Sequence, residues 1–267
     1  MLPDFLIIGA MKAGTSSLFR YLSSHPEIVP SSVKETDFFF SPKQYDRGRS
    51  YYEGLFQGEG DRALEASPNY TKRHLRPGMP EKIHALMPGV KMVYVVRDPV
   101  QRLVSHYVHN LDHGRERRTF SEAIREPDSN YILTSRYHFQ LEAFLDYFPA
   151  DQFMILDSAR LRDDTEAAVA SVCGFFGIPA DCDPAVMSQQ IHPSSAKTRA
   201  SLIERGLLKT VRHPGARSFI KRHTRKFRKP ISRPVPSRDD LDFLSDALGD
   251  DQQKLQTFAA SAAPLEN

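Results

Sequence analysis

The segment 9–16, Gly-Ala-Met-Lys-Ala-Gly-Thr-Ser, places a lysine between two glycines and follows them with two hydroxyl side chains. Glycine permits a tight backbone turn, and the N-terminus of a following helix directs N–H groups toward an anion. Lys12 adds a positive charge, and Thr15 and Ser16 add hydroxyl donors. This combination predicts a site for a phosphate-like group, although packing alone is the alternative explanation of the glycines. The segment is not a Walker A motif, which would require lysine at the position of Thr15.

A second charged cluster follows the apolar run 90–96, whose β-branched residues predict a central strand. Asp98 suits the N-cap of a helix, and Pro99 suits its first position. Arg97 therefore stands where a strand ends, which is the edge at which ligands collect in parallel sheets. We predict that Arg97 binds an anion, and a surface ion pair with Asp98 or with glutamate residues is the alternative.

The elements that must position these clusters alternate along the chain. Apolar runs predict strands at 5–8, 61–66, 90–96 and 153–156, and helical spacing predicts helices at 15–22, 81–87, 137–147 and 167–176. Strands alternating with helices predict an α/β fold in which a parallel sheet is covered by helices on both faces.

Five segments together resemble the sulfotransferases that use 3′-phosphoadenosine 5′-phosphosulfate (PAPS), in the branch of bacterial sulfotransferases and heparan sulfate sulfotransferase domains. Residues 9–16 resemble the family's 5′-phosphosulfate loop. In chain order, residues 34–39 resemble its acidic residue followed by a paired-aromatic strand, 64–70 its E-K-S-P-x-Y stretch, 96–105 its 3′-phosphate motif R-D-P-x-x-R-x-x-S, and 137–178 its central helix, strand and F-L-G-L ending. The resemblance covers roughly residues 4–200 and implies a P-loop-like central parallel sheet flanked by helices.

The resemblance also implies roles for individual residues. Lys12 would hold the bridging oxygen of the phosphosulfate and stabilise the departing bisphosphate. The other donor-binding residues it implies are Ala13, Gly14, Thr15 and Ser16 around the 5′-phosphate, and Arg97 and Ser105 at the 3′-phosphate. The segment 192–199 is expected to replace the family's later glycine-basic loop, with Lys197 or Arg199 meeting a phosphate.

Glu35 is the general base that the resemblance implies, and an ion pair with Lys34 is the alternative role for it. The aromatic residues 38–40 are expected to raise the pKa of Glu35 by desolvation. His106 and His109 are rival candidates for the base, ranked below Glu35. One departure affects the acceptor side: Ala66 stands where the family's heparan sulfate branch has lysine.

The chain has 267 residues, 40% of them hydrophobic and 26% charged, and a net charge of +3. These values suit one large α/β domain and argue against a globally basic nucleic-acid binder. Between residues 197 and 238, however, 14 lysines and arginines accompany a single acid, Glu204. We expect residues 1–196 to form the PAPS-binding core and 197–267 a basic, mostly helical region of the same domain. Three interpretations of the basic stretch remain open: a solvated face, a binding surface for an acidic acceptor, or a contact with an anionic membrane.

Two cysteines exclude a disulfide scaffold and predict reduced thiols in a cytoplasmic protein. We also expect no secretory signal, no membrane span, no metal requirement and no nucleic-acid partner.

The sequence thus predicts an enzyme that transfers a sulfuryl group from PAPS to a hydroxyl, in preference to an amine, of a carbohydrate or small-molecule acceptor. One alternative is an ATP-dependent kinase with a divergent phosphate loop, although Arg97 occupies the most obvious place for a Mg²⁺-binding aspartate. Another is a nucleotide-binding or membrane-associated adaptor without activity.

Overall fold

The computed structural model describes residues 1–189 and 231–262 throughout, and residues 198, 199, 211, 215, 216, 219, 223, 229 and 230 between these ranges. Within this part of the chain the architecture is α/β, as predicted. No described helix is long and apolar enough to cross a membrane.

Five parallel strands form the central sheet, in the spatial order β2-β3-β1-β4-β5. They are β1 (Phe5–Gly9), β2 (Ile28–Pro30), β3 (Arg62–Ala66), β4 (Lys91–Val96) and β5 (Phe153–Asp157). Phe5 is in register with Leu64 on one side and with Lys91 on the other, so β1 is the central strand. All five residues of β1 are buried, which explains its continuous apolar sequence. A separate antiparallel pair joins β6 (Thr198–Arg199) to β7 (Lys229–Pro230).

Helices flank both faces of the sheet. They are α1 (Thr15–Leu22), α2 (Pro42–Tyr45), α3 (Gly48–Glu53), α4 (Met79–Leu86), α5 (Pro99–Asp112), α6 (Phe120–Arg125), α7 (Asn130–Ser135), α8 (Tyr137–Leu145), α9 (Ser158–Asp163), α10 (Thr165–Phe176), α11 (Pro184–Met187) and α12 (Arg238–Ala262). The β1–α1–β2 and β3–α4–β4 connections run in opposite directions across the sheet. Because such crossovers are right-handed, α1 and α4 lie on opposite faces.

Most predicted elements are confirmed within a few residues, but the segment 34–39 is not. It forms turns rather than the expected paired-aromatic strand, because Glu35 and Asp37 have left-handed backbone angles (φ 61° and 48°) that interrupt an extended chain. Phe38 is buried and stacks on Tyr52 at a centroid distance of 4.2 Å. The short strand β2, just before this segment, was not predicted.

The helix α12 packs on the same body as the sheet. Leu255 joins the main core, and Leu244 and Leu248 pack in a second cluster with residues of α5, α6 and α7. The buried carboxylate of Asp251 accepts backbone N–H bonds from His138 (3.0 Å) and Phe139 (2.8 Å), at the start of α8. A domain boundary at residues 196–197 remains a prediction.

Candidate active site

The loops that follow β1, β2 and β3 meet at one edge of the sheet, because parallel strands end on the same side. The N–H of Ala10 donates to the carbonyl of Val95 (2.6 Å), and the N–H of Glu35 donates to the carbonyl of Ala66 (3.0 Å). This edge therefore contains the predicted donor loop, Arg97 and the predicted base.

The loop after β1 has the shape expected of an anion-binding turn. Lys12 is in the left-handed region (φ 72°), and Gly14 (φ 109°) precedes α1 without any side-chain cap at the helix N-terminus. Ala13 and Thr15 are buried, whereas Ser16 is half-buried. The predicted residues 12–16 are thus brought together around the first turn of a helix whose N-terminal dipole favours an anion.

Gly9 is required for a different reason from Gly14. A Cβ on Gly9 would lie 2.2 Å from the Oγ1 of Thr71 and 2.7 Å from the ring of Tyr94, so any side chain there would clash. Gly9 lets the loop after β3 approach the end of β1, and for this glycine the packing explanation is supported. Gly14 is instead required for its positive φ.

Arg97 lies at the end of β4, half-buried and held from two directions. Its guanidinium donates to Gln101 (2.9 Å), and its carbonyl accepts a bond from the hydroxyl of Tyr137 (2.9 Å). Burial lowers the pKa of Arg97, and the positive charges of Arg233 and Arg162 lower it further. The charges of Arg162 and Arg233 thus act on Arg97, although Arg162 is also paired with Asp163 (2.7 Å), and positive charge at this end of the sheet suits a phosphate. Arg162 and Arg233 were not predicted.

Asp98 caps α5 as predicted, accepting from the N–H of Gln101 (2.8 Å), with Pro99 at the first helical position. Ser105 is buried on the same helix, one turn beyond Gln101 and three residues beyond Arg102. Residues three and four apart share a helix face, so Ser105 lies on the same face of α5 as Gln101, the side chain to which Arg97 donates.

Arg102 is fully buried and reaches the donor loop. It donates to the hydroxyl of Ser135 (2.8 Å) and to the carbonyls of Tyr131 (2.7 Å) and Met11 (3.4 Å). No carboxylate in the described part of the chain forms an ion pair with it. A buried cation is costly unless an anion offsets it. The charge of Arg102 therefore favours an anion bound near the donor loop.

The acidic loop after β2 differs from expectation at Glu35. The Glu35 side chain is 49% exposed and forms an ion pair with Lys34 (2.5 Å), so the expected desolvation is absent there. The neighbouring Asp37 is the desolvated carboxyl instead: burial raises its pKa, while hydrogen bonds from Asn69 oppose the rise. The aromatic residues that were expected to cover Glu35 are in the core, where Phe38 and Phe39 are buried.

A buried carboxylate, Glu65, anchors this loop. Its oxygens accept bonds from the hydroxyls of Thr36, Tyr52, Ser67 (2.6 Å) and Tyr70 (2.8 Å). The hydroxyl of Ser67 in turn accepts the N–H of Asp37 (3.1 Å). Burial raises the pKa of Glu65, and its four hydroxyl donors oppose the rise. The network joins the loops after β2 and β3, and it was not predicted.

Sequence reasoning also missed Lys72, a buried lysine just beyond the predicted 64–70 segment. Its Nζ donates to Asn69 Oδ1 (2.7 Å) and lies 3.1 Å from the sulfur of Met11. Asn69 Nδ2 in turn donates to both carboxylate oxygens of Asp37 (3.1 Å each). Lys72 lies six residues after Ala66, where the family's lysine is missing, and this nearness in sequence was the signal that could have identified Lys72.

The two rival histidines occupy other surroundings. His106 is buried between Arg102 (3.4 Å) and the ring of Tyr131, and burial together with the charge of Arg102 strongly lowers its pKa. His109 is half-buried and packs on His113 at 4.2 Å. A neutral, enclosed imidazole such as His106 is poorly placed to meet an acceptor.

Lys197 lies outside the described residues, as does the side chain of Arg199. The backbone of Arg199 belongs to β6, which packs next to α5. In the described part of the chain, no group of three or more histidine, cysteine or acidic side chains could hold a metal ion.

Comparison with known proteins assigns the family. The sulfotransferase domain family matches residues 2–229. A solved sulfotransferase from Alicyclobacillus acidocaldarius superposes with a TM-score of 0.60 and 26% identity, covering 85% of this chain and 96% of that one. The chain therefore belongs to the sulfotransferase family. The predicted fold, family and enzyme class are confirmed.

Curated relatives agree over a shorter stretch. The human bifunctional heparan sulfate N-deacetylase/N-sulfotransferase 2 is 30% identical over 199 residues, which are 66% of this chain and 22% of that protein. The mouse heparan sulfate glucosamine 3-O-sulfotransferase 5 is 31% identical over 192 residues, or 67% of this chain and 54% of that protein. The chain thus spans between a fifth and about half of these relatives.

Proposed function

We propose that the protein transfers a sulfuryl group from PAPS to an acceptor hydroxyl, in preference to an amine, of a carbohydrate or small molecule. The observation that carries this proposal is the concentration of cations where the loops after β1 and β4 meet. Arg97 directly follows β4 at this end of the sheet, and the buried Arg102 donates to the carbonyl of Met11 without a carboxylate partner in the described chain.

On the donor side, residues 12–16 bind the 5′-phosphosulfate and Arg97 with Ser105 binds the 3′-phosphate. The reaction breaks the bond between sulfur and the bridging phosphate oxygen, which departs with the electron pair. Lys12 and the N-terminus of α1 stabilise the negative charge that grows on the departing bisphosphate. Transfer of this kind requires mainly positioning and charge stabilisation.

On the acceptor side, a carboxylate removes the hydroxyl proton as the acceptor oxygen bonds to sulfur. Glu35 is the proposed base, since its exposed carboxylate reaches the surface that an acceptor must approach. Asp37 is the second candidate because it is partly buried and its pKa is raised, which brings a carboxyl closer to the value that suits a general base.

A glycan acceptor is supported by the two relatives described above, both of which are heparan sulfate sulfotransferases. Ala66 argues against an identical acceptor contact, because the heparan sulfate branch has lysine there. The basic stretch 197–238 fits an anionic acceptor, and nothing in the described residues supports its alternative role at a membrane. A cytoplasmic location remains a prediction from the cysteine content.

Adenosine 3′,5′-bisphosphate (PAP) tests the donor assignment. Titration calorimetry should show at least tenfold tighter binding of PAP than of ADP, because only PAP offers a phosphate to Arg97 and Ser105. At 100 times its Kd a ligand adds about 2.7 kcal/mol to the free energy of unfolding, which gives a clear thermal shift. Equal binding of PAP and ADP would contradict the proposal and favour the kinase.

The acceptor is identified by incubating the enzyme with sulfur-labelled PAPS and matched acceptors. Heparosan oligosaccharides with N-acetylated or free amino groups separate hydroxyl from amine transfer, and phenols represent small-molecule acceptors. Labelling of only the free-amine glycan would contradict the preference for hydroxyls. PAP binding without turnover on any acceptor would favour the inactive adaptor.

A further inference from the structure

Lys72 is a buried cation for which the proposed donor and acceptor residues give no reason. It is 5% exposed, and within the described residues no carboxylate forms an ion pair with it. Its hydrogen bond to the neutral amide of Asn69 does not offset the loss of hydration. An anion bound next to Lys72 would therefore stabilise its charged form.

The ammonium of Lys72 lies between the two halves of the site. On one side, its Nζ is 3.1 Å from the sulfur of Met11, the residue directly before Lys12. On the other side, Asn69 links it to Asp37 through bonds of 2.7 and 3.1 Å. A group passing from the donor loop to a hydroxyl activated at the acidic loop has to cross this space.

The close approach is built into the fold. Thr71 packs against Gly9, where even a methyl group would clash, and this contact holds the loop after β3 against the end of β1. Lys72 follows Thr71 directly. Since Ala66 has no charge to offer at the position of the family's lysine, the edge of the sheet retains a cation from a position six residues later.

We propose that Lys72 is a catalytic residue whose ammonium contacts the sulfuryl oxygens during transfer. The proposal rests on the proposed function. As the sulfur–oxygen bond to the departing bisphosphate breaks and the acceptor oxygen bonds to sulfur, the acceptor proton passes to the carboxylate of Glu35 or Asp37. Lys72 stays protonated throughout and screens the charge on the sulfuryl oxygens.

The charged surroundings of Lys72 give the proposal a pH signature. Burial and the charge of Arg102 lower its pKa to about 8, although Asp37 and Glu35 act in the opposite direction. The charged and titratable groups that interact with it electrostatically are Glu35, Asp37, His74, Arg102, His106 and Arg115. The ammonium of the free enzyme is therefore lost as the pH rises through about 8. Because kcat/KM reports ionisation of the free enzyme, it should fall over that range.

The test compares Lys72→Met and Lys72→Arg with the wild type. The control is Lys91→Met, which removes a half-buried lysine bound to the Phe175 carbonyl (2.7 Å) at the opposite edge of the sheet. Affinity for PAP and for PAPS is measured by calorimetry, and turnover by transfer of labelled sulfate or its release to water. Lys72→Met should bind PAP within about twofold of wild type, bind PAPS about tenfold more weakly, and lose about 10²–10³ in turnover.

Lys72→Arg should restore part of the turnover and remove the fall in kcat/KM near pH 8, because arginine keeps its charge. An equal loss of PAP and PAPS affinity, or an unchanged alkaline limb in Lys72→Arg, would overturn the proposal and leave Lys72 a structural residue. Should Lys72→Met fail to fold, the pH profile of Lys72→Arg decides. A wild type that binds PAP no better than ADP counts against the proposed function instead.

Discussion

The donor side and the acceptor side of this sheet edge are built in different ways. On the donor side, short contiguous segments place Lys12, Gly14 and Arg97 directly at strand ends. On the acceptor side, Glu35 and Asp37 lie on a loop with left-handed backbone angles. The buried carboxylate of Glu65 stabilises this loop by accepting hydroxyl hydrogen bonds. The first side depends on local sequence, whereas the second depends on a network spread over the loops after β2 and β3 and on Tyr52 of α3.

This difference explains where variation in acceptor can arise. The donor is common to the family, and its site is made of the backbone turn and cations that a phosphate requires. The acceptor side has alanine at position 66, where the heparan sulfate branch has lysine, and β3 keeps its place in the sheet beside β1. Acceptor specificity is thus the more easily altered property of this fold.

The largest expected effect separates chemistry from donor binding on the acceptor side. Glu35→Gln keeps the shape of the side chain and removes its basicity, so kcat should fall roughly 10²–10⁴-fold while PAP affinity stays nearly unchanged. Asp37→Asn is the matched variant, and it should cost less if Glu35 is the base. Steady-state kinetics with a single acceptor measures both.

If Asp37→Asn instead shows the larger loss in kcat, the partly buried carboxyl is the base and Glu35 has a supporting role. Wild-type turnover in both variants would exclude both carboxylates as the general base and leave His109 as the candidate. PAP affinity serves as the control, because neither carboxylate lies on the donor side.

A smaller effect is expected at the anchor of the acceptor loop. In Glu65→Gln, an amide NH₂ replaces an oxygen that accepts hydroxyl bonds, so the free energy of unfolding should fall by about 1–3 kcal/mol. Because burial raises the pKa of Glu65 in the folded state, that state holds the proton more tightly than the unfolded chain does. The stability contribution of Glu65 is therefore lost as the pH rises from its unfolded pKa through its folded pKa.

Denaturant unfolding across pH tests this sign, and Glu116 provides a control of the opposite sign. Although burial acts against the shift, the guanidinium of Arg118 and backbone N–H groups lower the pKa of Glu116 to about 2. Its contribution is present above the unfolded pKa and is lost as the pH falls toward 2. Glu65→Gln should flatten the pH dependence of the free energy of unfolding above the unfolded pKa of glutamate. Glu116→Gln should flatten it below that pKa, toward pH 2. The same change of slope in both variants would refute the assignment.

The strand, the turn after it and the start of α5 were predicted well because each of these features is local. The apolar run 5–8, the glycines and the cap of α5 by Asp98 each depend on neighbouring residues, and the structure has them as expected. The aromatic residues after Glu35 were wrongly predicted to lie in a strand. The positive φ angles of Glu35 and Asp37 interrupt the extended chain, and residue type alone does not predict such angles.

The buried network could not be predicted from the sequence alone. Glu65 and Tyr70 are five residues apart, but Thr36 and Tyr52 reach Glu65 from 29 and 13 residues away. The pairing of β2 with β3 brings the segment that carries these two hydroxyls to the carboxylate of Glu65. The burial of Lys72 was not predicted for the same reason, because it depends on the approach of Thr71 to Gly9.

The smallest expected effect concerns the basic stretch and tests whether it serves the donor side or the acceptor side. Arg233 belongs to this stretch, and its charge contributes to the lowered pKa of Arg97, so it adds to the potential felt by the 3′-phosphate. Arg233→Gln should raise the Kd for PAP about threefold at low salt and by less above physiological ionic strength, where screening acts within about 8 Å. Neutralising Arg222, Arg225, Lys226 and Arg228 together should instead raise the KM of an anionic acceptor and leave the Kd for PAP unchanged. Calorimetry with PAP and acceptor kinetics at two salt concentrations distinguish the two variants. If neither quantity changes in either variant, the basic stretch is a solvated face, and the donor site depends on the cations at the strand ends alone.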